Sequence, residues 1–95
     1  MLYNTFIDFF KTQNINFANE LTDTKVNYWL NAVILKDKEQ RDLFLKETNN
    51  NGVMTRPIWA LMNKLEMFKE CQCTDLSNAL WLEERVVNIP SGVRL

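Results

Sequence analysis

The chain has 95 residues, 46% of them hydrophobic and 24% charged, which is the composition of one small globular domain and not of a disordered segment. Its net charge of -1 argues against a nucleic-acid binder, and no apolar run approaches the length of a membrane span. With no histidine and only two glycines, the sequence excludes Ser-His and Cys-His catalytic pairs and glycine-rich phosphate loops.

The two cysteines, Cys71 and Cys73, are separated by a single residue. Cysteines this close pair poorly in a disulfide, and a zinc site would need more ligands than the chain offers. Two reduced thiols are typical of an intracellular protein, so the sequence predicts a cytoplasmic location and no metal site.

The first elements are a helix, an irregular connection and a strand. Leu2, Phe6, Phe9 and Phe10 recur at helical spacing and predict an amphipathic helix over the first dozen residues. The polar residues 13–25 show no periodicity. Residues 26–35 are β-branched and aromatic and predict a strand that is covered on both sides, with Val26, Tyr28, Leu30, Ala32 and Ile34 on one face and Asn27, Trp29, Asn31, Val33 and Leu35 on the other.

A second helix follows over residues 38–51. Asp37 and Gln40 have the spacing of a capping box, which predicts that the helix begins directly after Asp37. Leu43 and Phe44 are expected to form its buried side. Gly52 stands where a left-handed residue ends a helix.

The rest of the chain predicts a strand, a helix and a strand. Residues 53–55 form a brief strand that must end, or lie at a sheet edge, because Pro57 cannot donate a ladder hydrogen bond. Thr74 or Asp75 caps a third helix that carries Leu76, Ala79 and Leu80. A last strand begins at Val86 and ends before Pro90.

The predicted order is therefore α-β-α-β-α-β. This order indicates an α+β fold: a small, mostly antiparallel three-stranded sheet with helices packed on one face. The opposite face would be left open, and apolar residues on it predict contact with another domain.

The order and spacing of four sequence blocks suggest a family. The blocks are NYWLNAVIL, RDLFL, NNGVMTRPIWALMNKL and NALWLEERVVNIPSG. Together they resemble the C-terminal segment of the DegT/DnrJ family of pyridoxal-phosphate-dependent nucleotide-sugar aminotransferases, which have fold type I. The blocks GVMTRPIW and NIPSG most resemble the branch that makes 4-amino-4,6-dideoxy sugar nucleotides for legionaminic-acid-type sugars.

The resemblance implies that residues 1–95 are a single domain, the aspartate-aminotransferase-like small C-terminal domain of a larger enzyme. Such an enzyme transfers an amino group to a 4-keto-6-deoxy nucleotide sugar. Pyridoxal phosphate and its lysine would belong to the large N-terminal domain of the parent, since no lysine here lies in a matching motif, so this fragment is expected to bind no cofactor. The implied partners are that large domain, a homodimer partner and the nucleotide sugar, with no nucleic acid and no membrane.

The same resemblance implies substrate-binding residues but no catalytic one. Arg56 would pair with phosphate or a hydroxyl, and Trp59 would stack on a sugar or base. Asn63 stands near a position that is histidine in many relatives and could bond a hydroxyl, and Asn31 on the strand completes the set. The alternatives are a local carboxylate partner for Arg56, a core position for Trp59, and a backbone partner for Asn31.

A second function class remains open. The chain could be a freestanding α+β interaction module without enzymatic activity, because a fold does not determine a function. A longer reading frame upstream that encodes a cofactor lysine would distinguish the two.

Overall fold

The structure, a computed structural model, describes residues 2–92 and the side chains of residues 4–92. Within this part, the helices are α1 (Leu2–Thr12), α2 (Lys38–Asn50) and α3 (Ser77–Glu83). The strands are β1 (Asn16–Phe17), β2 (Asn31–Ile34), β3 (Arg56–Pro57) and β4 (Val86–Ile89), and two 3-10 helices cover Met62–Lys64 and Glu66–Phe68. The fold is α+β as predicted, with one strand more than expected.

The strands form one antiparallel sheet in the order β1-β2-β4-β3. Val33 of β2 lies opposite Val87 of β4, and Asn31 lies opposite Ile89. Strand β3 is at the edge of the sheet, which is one of the two alternatives that Pro57 left open for the strand before it.

The core lies on one face of this sheet. Val33 and Val87 are fully buried there, and the remaining buried apolar residues are Phe10, Leu35 and Ile89. Side chains from α1 and α2 pack against this cluster, which confirms the one-sided packing of the helices. On the other face, Ala32, Ile34 and Val86 are only half-buried.

Helix α1 forms where the aromatic spacing predicts it. Phe10 is buried and Phe6 packs beside it, but Phe9 is 54% exposed, so its predicted core position was wrong. The side chain of Leu2 lies outside the described side chains. Strand β1 was missed, because two residues are too few to show a period within the polar residues 13–25.

The predicted strand 26–35 was wrong in its first half. Tyr28 has a φ of +50°, a left-handed conformation that cannot continue a strand. The side chain of Asn27 accepts a hydrogen bond from the Trp29 N–H at 3.1 Å, which makes an Asx turn. Trp29 is consequently 75% exposed instead of lying on a sheet face.

Helix α2 confirms its predicted ends. The Gln40 N–H donates to Asp37 Oδ1 at 2.7 Å, and the Gln40 side chain accepts from the Lys36 N–H at 2.7 Å. Gly52 has a φ of +80°, and the Gly52 and Val53 N–H groups bond back into the last turn as a Schellman motif. Leu43 is 58% exposed, so only Phe44 of the predicted pair packs against the core.

The predicted strand 53–55 was also wrong. The Val53 N–H donates to the Thr48 carbonyl at the end of α2, and the Thr55 carbonyl accepts from the Asn49 and Arg56 side chains. These groups are not available to a sheet ladder, so pairing begins at Arg56.

The last strand follows the prediction closely, but the predicted cap of the last helix was wrong, because the N-cap residue of α3 is Leu76, whose side chain makes no capping hydrogen bond. The Asp75 side chain accepts from the Ser77 N–H at 3.1 Å, and α3 begins at Ser77. Thr74 makes no such bond in the described part of the chain. Strand β4 ends at Ile89, directly before Pro90, as expected.

Candidate functional site

Arg56 is held at the start of the edge strand β3. Its Nη1 donates to the Asn49 side chain at 3.1 Å and to the Thr55 carbonyl at 2.9 Å. Both acceptors are neutral, and no ion pair within residues 2–92 includes Arg56. The alternative of a local carboxylate partner is therefore not realised among the described residues. The guanidinium is exposed and still has free donors.

The backbone that presents Arg56 is fixed by Thr55. Thr55 is 1% exposed, and its hydroxyl lies 2.6 Å from the Thr48 hydroxyl and 3.1 Å from Asn49 Nδ2. Because Thr48 and Asn49 belong to the last turn of α2, the start of β3 is fastened to a rigid helix end. This arrangement sets the direction in which Arg56 leaves the sheet.

Trp59 follows the strand and is 72% exposed. The alternative of a core position for Trp59 was therefore wrong. An indole that lies open beside an arginine offers a flat apolar face to a ring or to another protein surface.

Asn63 lies at an apolar cavity of about 300 Å³, lined by Leu61, Met62, Asn63, Phe68, Cys71, Gln72, Cys73 and Leu76. The Asn63 Oδ1 atom is buried and has no hydrogen-bond partner among the described residues. A buried carbonyl oxygen without a partner is uncommon. Because this atom has almost no accessible surface, a donor from outside could reach it only if the surrounding side chains moved.

Asn31 occupies a different place from Arg56. The Asn31 N–H donates to the Ser91 hydroxyl at 2.8 Å, which in turn donates to the Ile89 carbonyl at 2.9 Å. Ser91 thus joins the ends of β2 and β4. The Asn31 side chain is buried, and its Oδ1 has no partner in the described part of the chain.

The register separates Asn31 from the Arg56 group. Asn31 pairs with Ile89 and Arg56 pairs with the preceding Asn88, so their side chains leave opposite faces of the sheet. Strand β4 lies between them, which places roughly 10 Å of sheet between the two backbones. Arg56, Trp59 and Asn63 follow one another along the chain between residues 56 and 63, and the sheet separates them from Asn31.

Glu83, which belongs to no motif visible in the sequence, fastens this segment to α3. Its carboxylate accepts from the Leu61 N–H at 2.7 Å and forms an ion pair with Lys64. The Lys64 ammonium, followed by the Leu61 N–H, holds the pKa of Glu83 below its ordinary value of 4.5. Partial burial and the more distant Arg41 change the pKa less. Because 19 residues separate Lys64 from Glu83, no local pattern could reveal the pair.

A pKa that is lower in the folded state predicts acid destabilisation. Ionised Glu83 stabilises the fold above its unfolded pKa, and this contribution disappears as the pH falls through the folded value. We expect the gap in unfolding free energy between wild type and Glu83→Gln to shrink from about pH 7 to about pH 3. Urea unfolding at both pH values measures it, with Glu84→Gln as the matched control. An equal gap at both pH values would contradict the prediction.

The described residues do not fit pyridoxal phosphate. The cofactor needs a lysine amine, a carboxylate beside its ring nitrogen and donors around its phosphate. Every described lysine is exposed, and Lys64 and Lys69 are engaged in ion pairs. The apolar cavity is lined by neither a lysine nor a carboxylate. Among the same residues, no group of three or more His, Cys, Asp or Glu is placed to hold a metal ion.

Of two comparisons with known proteins, one places the chain. The model of the DegT/DnrJ/EryC1/StrS aminotransferase family matches residues 2–95. No curated protein matches the chain. Within residues 2–92, no helix has the length and apolar character that crossing a membrane requires.

Proposed function

Because the chain belongs to the DegT/DnrJ/EryC1/StrS aminotransferase family, we propose that it is the C-terminal small domain of a larger aminotransferase. The parent enzyme transfers an amino group to a nucleotide-linked 4-keto-6-deoxy sugar. Aminotransferases of this family are generally pyridoxal-phosphate-dependent. The parent's large N-terminal domain holds that cofactor, since the residues described here do not fit it.

The observation that carries the proposal is that Arg56 is exposed and has no charged partner among the described residues. Its guanidinium is exposed, bonds only to neutral oxygens and has donors left over. A cation in this state matches the diphosphate or the hydroxyls of a nucleotide sugar, because charge-assisted bonds to phosphate are stronger than bonds to neutral acceptors. The last turn of α2 keeps the arginine in place before the ligand arrives.

Trp59 and Asn63 complete the substrate-binding segment, which we define as residues 56–65. Trp59 offers an open ring face for stacking on the sugar or base. The buried, unpartnered Oδ1 of Asn63 would accept a hydrogen bond from a sugar hydroxyl if its neighbours moved aside when substrate binds. Asn31 is buried on the other face of the sheet and lies outside this segment. The blocks GVMTRPIW and NIPSG favour a substrate of the legionaminic-acid branch.

Amino transfer by the full-length parent tests this function. The coding region would be expressed with its upstream sequence and supplied with pyridoxal phosphate, an amino donor and a nucleotide-linked 4-keto-6-deoxy sugar. We expect an aminated nucleotide sugar, detected by mass spectrometry. If the upstream sequence encodes no cofactor lysine and no amine is formed, the result favours the alternative, a freestanding interaction module.

The exposed apolar side chains favour partners for this domain. Trp29 and Trp59 lie open to solvent, as do Met54, Met62 and Met67. In the parent, the large domain and a homodimer partner would cover such residues, since exposed apolar patches mark interaction surfaces. The enzyme would act in the cytoplasm, without nucleic acid or membrane.

Self-association of the isolated chain is the expected consequence. Uncovered apolar surface should draw two copies together, and Trp29→Ser should weaken the association because it removes a large exposed indole. Sedimentation velocity over a range of concentrations measures the effect, with the polar surface substitution Lys46→Ser as control. A strictly monomeric wild-type chain at the highest concentration would contradict this prediction.

A further inference from the structure

The segment from Trp59 to Cys73 has little regular structure of its own. Two 3-10 helices, Met62–Lys64 and Glu66–Phe68, are its only regular elements within the described residues. Its internal bonds are short-range, such as Lys64 N–H to the Leu61 carbonyl at 2.9 Å and Leu65 N–H to the Met62 carbonyl at 3.1 Å. Bonds of this kind shape a turn locally but do not place it against the rest of the protein.

Glu83 holds the segment 59–73 in its position against the rest of the protein. In the described part of the chain, the hydrogen bonds that connect residues 59–73 to the helices and the sheet all end on the Glu83 carboxylate. One oxygen accepts from the Leu61 N–H and the other from the Lys64 ammonium. Leu61 and Lys64 are the two ends of the turn that contains Asn63.

Glu83 is itself held rigidly. It is the last residue of α3, and its carbonyl accepts from Arg41 Nη1 at 2.9 Å, which ties α3 to α2. Its side chain is only 13% exposed, so water competes little for the carboxylate. A rigid, shielded acceptor can impose one position on a turn that would otherwise take several.

We propose that Glu83 is the positioning residue of the substrate-binding segment: its carboxylate holds Leu61 and Lys64 so that Trp59 and Asn63 are presented in one orientation. We call the bonds from Leu61 and Lys64 to the Glu83 carboxylate the clamp. The clamp is independent of what the segment binds, whereas its role in substrate recognition rests on the proposed function. Glu83 touches no reacting atom; it acts through the turn that it holds.

Amide hydrogen exchange on this chain, measured by NMR, tests the clamp. The reporters are the Lys64 and Leu65 N–H groups, because they bond within the segment and not to Glu83. In Glu83→Ala we expect both to exchange about tenfold faster or more, the ratio that loss of a charge-assisted hydrogen bond predicts. Glu83→Gln, which keeps an acceptor for Leu61 but no charge for Lys64, should lie between Glu83→Ala and wild type.

Two controls keep the result specific. Glu84→Gln changes the neighbouring exposed carboxylate and should leave the reporters unchanged. The Leu35 N–H, which donates to the Arg85 carbonyl at 2.9 Å, reports on global unfolding and should stay far better protected than the two reporters in every variant. Unchanged reporters in Glu83→Ala would overturn the proposal, and so would reporters that are as well protected as Leu35 in wild type, since the segment would then open only when the whole fold opens.

Kinetics of the full-length parent separate the clamp from the substrate role. Glu83→Ala should raise KM for the nucleotide sugar severalfold while kcat stays near wild type, because a displaced segment loses binding and not chemistry. If exchange accelerates as expected but KM is unchanged, the clamp stands and the proposed substrate contact of the segment fails.

Discussion

Phe10→Ala is expected to lower the free energy of unfolding by about 3–5 kcal/mol, the usual effect of removing a buried phenylalanine ring. Phe10 is 6% exposed and is the one α1 residue in the fully buried cluster of the described chain. Its ring lies 6.2 Å from the ring of Phe6 and 6.2 Å from that of Phe17. It therefore joins α1 to β1 and, through the core, to β2 and β4.

Phe9→Ala is the matched control, because it removes the same ring from the neighbouring position. Phe9 is mostly exposed and makes one edge contact with Phe10, so we expect its loss to change stability by less than about 1 kcal/mol. Urea unfolding followed by circular dichroism compares the two variants. Equal destabilisation by both would mean that α1 packs through a different face.

Arg56→Ala in the full-length parent is expected to lower kcat/KM for the nucleotide sugar roughly ten- to 150-fold. This corresponds to a loss of about 1.5–3 kcal/mol of transition-state stabilisation. The arginine would supply charge-assisted bonds that no neutral side chain replaces. Its local bonds to Asn49 and Thr55 are at the surface, so the melting temperature should change little.

The control for Arg56 is Lys46→Ala, which removes one positive charge from an exposed position on α2. Its kcat/KM should match wild type, since Lys46 lies outside the substrate-binding segment. Unchanged kinetics in Arg56→Ala together with a lowered melting temperature would assign Arg56 to the fold alone.

The elements that were predicted well from the sequence are those that begin or end at a residue acting on the adjacent backbone. Asp37 with Gln40, Gly52 and Pro90 each act on backbone within a few residues, so their effects are visible in the sequence. The alternation in residues 31–35 likewise predicts which β2 side chains share a face, because the period of a strand does not depend on its partners. The expectation that both faces are covered was wrong, since Ala32 and Ile34 are only half-buried.

The errors arise where a side chain competes for the backbone or where contacts are distant. Asn27 turns the chain before β2, although the residues around it are β-branched and aromatic. The side chain of Asn49 takes the Thr55 carbonyl and moves the start of β3 by three residues from the predicted position 53. In both places a side chain competes with the sheet for a backbone hydrogen bond. The outcome depends on local geometry, which secondary-structure propensities do not describe.

The substrate-binding residues stay a prediction. Arg56, Trp59 and Asn63 were named from the resemblance, and in the structure Arg56 and Trp59 are exposed while Asn63 is partly buried. Glu83 and Asn49 were missed, because their roles depend on contacts across the fold. The separation of Asn31 from Arg56 also follows from the sheet register, which pairs both strands with β4 and was not predicted.

The most direct test is a structure of the full-length parent with a bound nucleotide sugar. The account predicts that Arg56 lies within about 3 Å of a phosphate or hydroxyl oxygen of the ligand, with the Trp59 ring against the sugar or base. It would be contradicted if the nucleotide sugar lay away from residues 56–65 while Arg56 kept only its bonds to Asn49 and Thr55.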